Sequence, residues 1–341
     1  MGYRPERRIV IVTRATQLSA LRQKFATPSQ ARFHVVSARK RELARAGAPA
    51  AAIDKLAAVA FTEVEAAADT YEATVLRVRQ DLEAGGFDLP VQIIDRAFVP
   101  NFVFGPNDVV LTIGQDGLVA NTAKYVLGRP IVAVNPDPAR IDGVLLPFKA
   151  EDARWAVRDV LSGTAKFREV TLAQATMADG QVLLAFNELF IGCRSHVSAR
   201  YRLKVGTATE SQSSSGILVS TGAGSTGWMS SVFRMAAGVM SAFAGGSAKT
   251  GKAAPSPRLS WEDPKLVYVV REPFVSKTSA AELIAGVVEA GREIVVESEM
   301  ASDGVIFSDG VEADYIEFNS GAIARIGAAP TKARIVAART K

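Results

Sequence analysis

The chemistry of this chain starts from one carboxylate. Asp116 stands in Val109-Val110-Leu111-Thr112-Ile113-Gly114-Gln115-Asp116-Gly117-Leu118, where five β-prone residues close in a turn with a glycine on each side of Gln115-Asp116. Glycines let backbone N–H groups approach a phosphate closely, whereas a carboxylate among them repels phosphate unless it works on a proton or a metal. Asp116 is therefore the first catalytic candidate. Its rivals are weaker: Asp137 lies between prolines, and Asp142 and Asp309 lack a strand-to-helix cradle. The plainer alternative is a strand-to-helix turn capped by Asp116.

A second candidate is Gly222-Ala223-Gly224-Ser225-Thr226-Gly227, a G-x-G-x-x-G pattern after the strand-like Ile217 to Val219. It opens a helix whose Val232, Met235, Val239 and Phe243 share a face. A dinucleotide fingerprint also needs an acidic residue about 20 positions on. Between Ser211 and Trp261 there is no Asp or Glu, which weighs against that reading. The turn still suits an anion or nucleotide, with the hydroxyls of Ser220, Thr221, Ser225 and Thr226, a helix N-terminus, and Trp228 for stacking. A capped helix start would use the same hydroxyls.

Two further patterns carry less. Gly246, Gly251 and Lys252 have P-loop spacing, but Ala253 replaces the metal-binding hydroxyl and Pro255 and Pro257 oppose a following helix. Cys193 and His196 form a C-x-x-H pair without a second pair, in a chain with one cysteine and two histidines, so no tetrahedral zinc site is expected.

Around Asp116 the expected elements are a strand, a turn, a helix and a strand. Leu118, Val119, Ala123, Val126 and Leu127 fall on one helix side, Gly128 stops it, and Pro130 to Val134 reads as the next strand. Such a crossover joins parallel strands, and ligands bind outside their carboxyl ends, where Asp116 would sit. Upstream, Ile9 to Val12 reads as a strand, Gln17 to Phe25 as a helical turn or two, and Val91 to Asp95 as a strand before a loop from Pro100 to Pro106. The clearest helix carries Ile53, Leu56, Ala60, Val64, Ala67, Tyr71, Val75, Val78 and Leu82, and Gly85-Gly86 ends it. Asn135-Pro136-Asp137-Pro138 is a polar turn. A helix from about Ala150 to Leu161 follows.

From Lys166 to Ile326 the chain changes to short strand-like runs: Val182 to Phe186, Leu203 to Val205, Ile217 to Val219, Leu266 to Val270, Glu293 to Val296, Val305 to Phe307 and Ile316 to Phe318. The expected fold class is an α/β N-terminal domain with a Rossmann-like parallel sheet over 1–148, then a β-rich domain over 149–341. Ala244 to Pro257, rich in small residues, lysine and proline, is expected to be an exposed loop.

The chain has 341 residues, 48% apolar and 22% charged, enough for two globular domains. A net charge of +5 fits an anionic ligand. Arg39-Lys40-Arg41 and the cluster from Arg4 to Arg8 lack the interleaved aromatics of a base-stacking platform. They read as solvated faces, and no nucleic-acid partner is expected. No apolar run approaches the length of a membrane span, and Ile9 to Val12 is too short for a signal peptide's apolar region, so a cytoplasmic location and no membrane partner are expected.

The residues carry a resemblance. Gly114-Gln115-Asp116-Gly117 resembles the G-G-D-G-T motif of the NAD kinase family, Asn187-Glu188 its N-E motif, and Ser220 to Trp228 its S-T-P-T-G-S-T-A-Y segment. Ser308-Asp309-Gly310 resembles the later D-G turn, and order and spacing agree over about 200 residues. Asn135-Pro136-Asp137-Pro138 is most similar to the loop of the mitochondrial-type branch.

The resemblance implies phosphoryl transfer from ATP, with Mg2+, to the adenosine-ribose 2′-hydroxyl of NAD(H), in a cleft between two domains. Asp116 would orient or deprotonate that hydroxyl. Gly114, Gln115 and Gly117 would line the phosphate path, Asn187 and Glu188 would hold the adenosine portion, and Ser225, Thr226 and Trp228 would help form the nucleotide pocket. Asp309 would lie near the domain interface. The family also implies a homo-oligomer built through the β-rich domain and a last segment, here about 330–341, that returns to the first domain. On the residues themselves, Asn187 and Glu188 end an apolar run and can hydrogen-bond a base edge and a ribose from a rigid strand end, unless Asn187 merely turns the chain in the left-handed region.

The departures are Gln115 for glycine, Leu118 for threonine, Gly222-Ala223 for Pro-Thr and Gly227-Trp228 for Ala-Tyr. The first costs backbone freedom and adds an amide, and the second removes a hydroxyl that could face phosphate. Two alternatives follow. One is a related kinase with a lipid or sugar acceptor, since diacylglycerol and sphingosine kinases share the G-G-D-G turn; the other is a non-catalytic nucleotide-binding regulatory protein.

Overall fold

The computed structural model describes residues 7–243 and 259–338. Arg4 in the first basic cluster, the P-loop-like spacing and the expected exposed loop from Ala244 to Pro257 lie outside the described residues. The chain divides into two compact units. One comprises Met1–Val119, Ile131–Lys166 and Val336–Lys341, the other Ala120–Pro130 and Phe167–Ile335.

The first unit is built on parallel strands β1 (Ile9–Thr13), β2 (Val91–Asp95), β3 (Val109–Ile113) and β4 (Pro130–Asn135), in the order β2-β1-β3-β4, with the short β5 (Phe148–Lys149) parallel to β4. β3 is buried throughout, Thr112 included among its apolar residues, as a strand covered on both faces is. Helices α1 (Gln17–Lys24), α2 (Pro28–Arg45) and α3 (Ala50–Glu83) share a cluster of Leu18, Ala31, Phe61 and Ala68. After β5, α5 (Ala153–Ser162) packs on α3 and β3. Ala337 donates to the Lys166 carbonyl at 2.9 Å, so the chain's last described residues group with this unit.

Several expectations are corrected here. α3 buries Ala57, Phe61, Ala68, Tyr71, Val78 and Leu82, whereas Leu56 is exposed. The apolar stripe thus begins one position later than its alanine-rich periodicity suggested, because alanine marks neither face strongly. α2 was not expected at all. Thr27 caps it by accepting from Gln30 N–H at 3.2 Å and Pro28 starts it, but only Ala31 is buried, so it has little apolar periodicity. Part of the expected loop from Pro100 to Pro106 is a 3-10 turn over Arg96–Asn101. The helix after Asp116, α4 (Asp116–Ala123), ends early, and Leu127 is exposed with φ +47°, so it belongs to the stop with Gly128 and not to the buried side. Arg8 is no solvated charge: its Nε meets the buried carboxylate of Asp108 at 3.0 Å. Arg39 does lie exposed and Lys40 half-buried, paired with Glu42 and Asp54.

The second unit opens with β6 (Phe167–Val170) and then packs two antiparallel six-stranded sheets face to face. One comprises β7 (Ala173–Met177), β8 (Val182–Ala185), β10 (Ala199–Val205), β11 (Ala208–Ser214), β15 (Glu293–Ser298) and β18 (Ile323–Ala328). The other comprises β9 (Glu188–Cys193), β12 (Ile217–Ser220), β13 (Leu266–Val270), β14 (Ala285–Val288), β16 (Gly304–Ser308) and β17 (Val311–Glu317). β19 (Ala333–Val336) lies beside β6. The core between the sheets takes alternate residues from both, among them Leu189, Ile191, Tyr201, Leu203, Ile217 and Val219. On the outer face of the second sheet, α6 (Trp228–Phe243) covers Leu218, Val267 and Val269 with Met229.

Candidate functional site

In the first unit, the Gly114 to Gly117 turn leaves the carboxyl end of β3, and α4 begins at Asp116 itself. Gly114 is buried: a Cβ there would come within 2.8 Å of the Leu118 Cδ2. Leu118 is 2% exposed, so the residue in the place of the family's threonine is a core side chain under the turn. Gln115 is exposed and has no positive φ, so its replacement of glycine imposes no left-handed strain. Gly117 is exposed and a Cβ built on it would meet no heavy atom within 4 Å. Glycine in a helix costs about 0.5–1 kcal/mol relative to alanine, and neither φ nor packing asks for it here.

The Asp116 carboxylate is half-buried and held from one side. Its Oδ1 accepts from Leu145 N–H at 2.8 Å and its Oδ2 from Val144 N–H at 3.2 Å. Those amides are presented by the loop after β4, which folds on Asn135: its Nδ2 donates to the Ile141 carbonyl at 2.8 Å and its Oδ1 accepts from Asp137 N–H at 3.0 Å. Gly143, at φ +61°, lets the loop turn back toward Asp116. Each carboxylate oxygen retains a second lone pair for a hydroxyl.

In the second unit, Asn187 and Glu188 join β8 to β9, and a buried carboxylate organises them. Asp309 accepts from the N–H groups of Phe186 at 3.0 Å, Asn187 at 2.6 Å and Glu188 at 3.3 Å. Asp309 itself takes the left-handed conformation, φ +54°, followed by Gly310 at φ +68°. Asn187 has no positive φ, which removes the reading of it as a left-handed turn residue. Lys124 reaches the same point, donating to Ser308 Oγ at 2.7 Å with its Nζ 3.7 Å from Asp309 Oδ2. Burial raises the Asp309 carboxyl above its usual range, opposed by Lys124 and the three amides. Burial, then the Asp309 charge, pushes Glu188 up to about 7.

The Ser220 to Trp228 segment packs against this turn. Thr221 donates from its hydroxyl to the Phe186 carbonyl at 2.6 Å and from its backbone to the Asn187 carbonyl at 2.9 Å. A Cβ on Gly224 would lie 2.1 Å from the Asn187 carbonyl oxygen, and one on Gly222 1.9 Å from that of Ser260. Both glycines therefore serve close backbone approach. The preceding β12 lies in an antiparallel sheet, which removes the parallel unit that a dinucleotide fingerprint needs. Ser225 donates its hydroxyl to the Gly222 carbonyl at 2.7 Å, and Thr226 is exposed. Trp228 stacks on Phe190, with ring centroids 5.7 Å apart, under the Arg271 guanidinium 5.3 Å away. These three line a cavity of about 590 Å³ that also takes in Cys193 and His196.

The structure thus collects Asn187, Glu188, Ser225, Trp228 and Asp309 within the second unit, and Gly114, Gln115, Asp116 and Gly117 within the first. Sequence reasoning missed Lys124, whose signal was a lone cation beside Ala123, and Arg271, which carried none.

No protein-family model matches the chain. NAD kinase 2, mitochondrial, of Rattus norvegicus is 27% identical in an alignment 284 positions long that covers 64% of this chain and 64% of that protein. The match therefore spans less than two thirds of that relative's length. The fold resembles that of yeast NADH kinase in its crystal structure with NADH, at a TM-score of 0.55 and 14% identity, over 98% of this chain and 84% of that one. It also resembles an NAD kinase from Archaeoglobus fulgidus in complex with ATP, at a TM-score of 0.50 and 18% identity, over 77% and 88% of the two chains. With its motifs in the expected order and an α/β unit joined to a two-sheet β unit, the chain is similar to the NAD kinases over part of its sequence and has an NAD kinase-like fold.

Proposed function

We propose that the chain is a phosphotransferase that moves the terminal phosphoryl group of ATP to the 2′-hydroxyl of the adenosine ribose of NAD(H), giving NADP(H) and ADP. The observation that carries this reading is Asp116 at the carboxyl end of a buried parallel strand, next to Gly117, over which the described residues leave open space. A ribose hydroxyl is a weak nucleophile, and a positioned carboxylate can hold it in line or take its proton as the new O–P bond forms and the bond to ADP breaks. Most of the catalysis in phosphoryl transfer is positioning, which the rigid Asp116 carboxylate suits. Asn187 and Glu188, their backbone fixed by Asp309, would hold the adenosine, and Trp228 would help form the nucleotide pocket.

The described residues contain no group of three or more His, Cys, Asp or Glu that could hold a metal ion. Mg2+ therefore enters this reading as the companion of the donor's phosphates, where it would neutralise charge, and no step is routed through it. Self-assembly through the second unit and a cytoplasmic location belong to the same proposal; no described helix is long and apolar enough to cross a membrane. Sedimentation reads the first, and localisation of the tagged chain the second.

Incubation with NAD, ATP and Mg2+, followed by detection of NADP, tests the activity. A second reading is favoured by the two amides on Asp116, which give the carboxylate a structural task of its own. In that reading the chain binds nucleotide without turnover, and bound NAD with no NADP formed would select it.

A further inference from the structure

Residues 17–45 carry seven Lys and Arg against one Glu, a net +6 in a chain whose total is +5, so the remainder is close to neutral. That charge sits on α1 and α2, in the first unit. α2 packs through Ala31, its single buried residue, with Val35 and Val36 against the cluster shared with α1 and α3. At about 100° per residue, the opposite side presents Phe33, Ser37, Lys40, Arg41 and Ala44, with Arg45 beside them. Phe33 is 74% exposed. Arg39 meets Glu42 at 2.7 Å and Lys40 meets Asp54 at 2.6 Å, whereas Arg22, Arg32, Arg41 and Arg45 are exposed and have no ion pair among the described residues. Arg41 and Arg45 stand four apart, a spacing at which like charges repel along a helix. The fold keeps that repulsion without an internal acid to relieve it.

We propose that α2 docks the chain on an anionic lipid bilayer, with its cations against the head groups and Phe33 in the apolar boundary beneath them. A cluster of about four to eight Lys and Arg on one surface is what an acidic leaflet binds, and a helix lying flat engages such a plane along its length. A DNA duplex would call for hydrogen-bonding side chains between the cations, where α2 has Phe33 and Ala44. An exposed aromatic ring gains burial at the acyl boundary instead. This is contact and not spanning: no described helix is long and apolar enough to cross a membrane. The run Arg39-Lys40-Arg41 thus belongs to a docking face, beyond its reading as a solvated one. The inference does not depend on the phosphotransferase reading.

The full chain is sedimented with vesicles of phosphatidylcholine and phosphatidylglycerol in equal parts, and with vesicles of phosphatidylcholine alone. It should pellet with the mixed vesicles, stay in solution with the neutral ones, and be released as salt is raised. The double variant Arg41→Gln/Arg45→Gln should bind the mixed vesicles about tenfold more weakly or worse, and Phe33→Ser about fivefold more weakly. Circular dichroism checks folding, and if the double variant does not fold, Arg41→Gln alone, with an expected loss of about fivefold, decides. No pelleting with the mixed vesicles, equal pelleting with the neutral ones, or wild-type affinity in either folded variant overturns the docking. Tighter binding to a DNA duplex, lost with the arginines and indifferent to Phe33→Ser, assigns the face to nucleic acid and overturns it as well. Salt-sensitive pelleting that needs both the arginines and Phe33 upholds it.

Discussion

Asp116 accepts hydrogen bonds on both carboxylate oxygens, the shorter from Leu145 N–H at 2.8 Å, so the candidate base also closes the loop that follows β4. Asp116→Asn keeps the shape but turns an amide donor toward one of the two N–H groups. We expect the rate of NADP formation to fall about 10²–10⁴-fold, the usual contribution of a positioned acid or base. NAD affinity should change far less, because the lost interaction belongs mainly to the transition state. Full activity in folded Asp116→Asn that binds NAD removes Asp116 from the chemical step.

Leu118 is packed under Gly114, and the change to threonine found in the family motif trades buried surface for a hydroxyl. We expect Leu118→Thr to lose about 1–3 kcal/mol if that hydroxyl stays unpaired. The rate with ATP should not rise. A faster enzyme with unchanged unfolding midpoint would place position 118 against the donor.

Asn187 has no side-chain hydrogen bond among the described residues, whereas its backbone is held on both sides. Its truncation therefore separates binding from folding. In calorimetry Asn187→Ala should weaken NAD binding by about tenfold, roughly one hydrogen-bonding group's worth, with little change in thermal midpoint. Unaltered affinity would mean that the side chain does not touch the nucleotide.

Asp309 and Lys124 are both almost fully buried, at 3% and 2% side-chain exposure. Removing one charge of a buried pair strands the other, at a cost of about 3–5 kcal/mol. Asp309→Asn should lose stability on that scale in denaturant unfolding, and more than Lys124→Met, because its NH2 also replaces an oxygen that accepts from at least one of the three N–H groups. Equal, small losses would show that water reaches the pair.

Glu188 has a folded-state pKa of about 7 against an ordinary 4.5, so the folded state binds the extra proton between those values. Stability from this group is therefore full below about pH 4.5 and is lost as pH rises through about 7, with a penalty above that of up to about 3 kcal/mol. Glu188→Gln should be the more stable protein at pH 8, with an advantage that shrinks toward pH 5. Parallel stability curves of the two proteins across that range would mean that the carboxyl ionises freely.

The sequence by itself determined the elements whose patterns are local. β3 with its glycine turn, the long α3, the apolar run into Asn187-Glu188 and the strand into Gly222 to Gly227 are legible because a period of two or 3.6, or a glycine after an apolar run, is written in adjacent residues. α2 was hidden because it buries almost nothing, and β11 and β18 because polar and small residues pair there only through neighbouring strands. The tertiary structure alone decided that Leu118 is core, that Asp309 holds the Asn187-Glu188 turn from 122 positions away, and that Lys124 completes it. A buried carboxylate selects its partners by where amides and ammonium groups meet in space, and no spacing along the chain records that meeting.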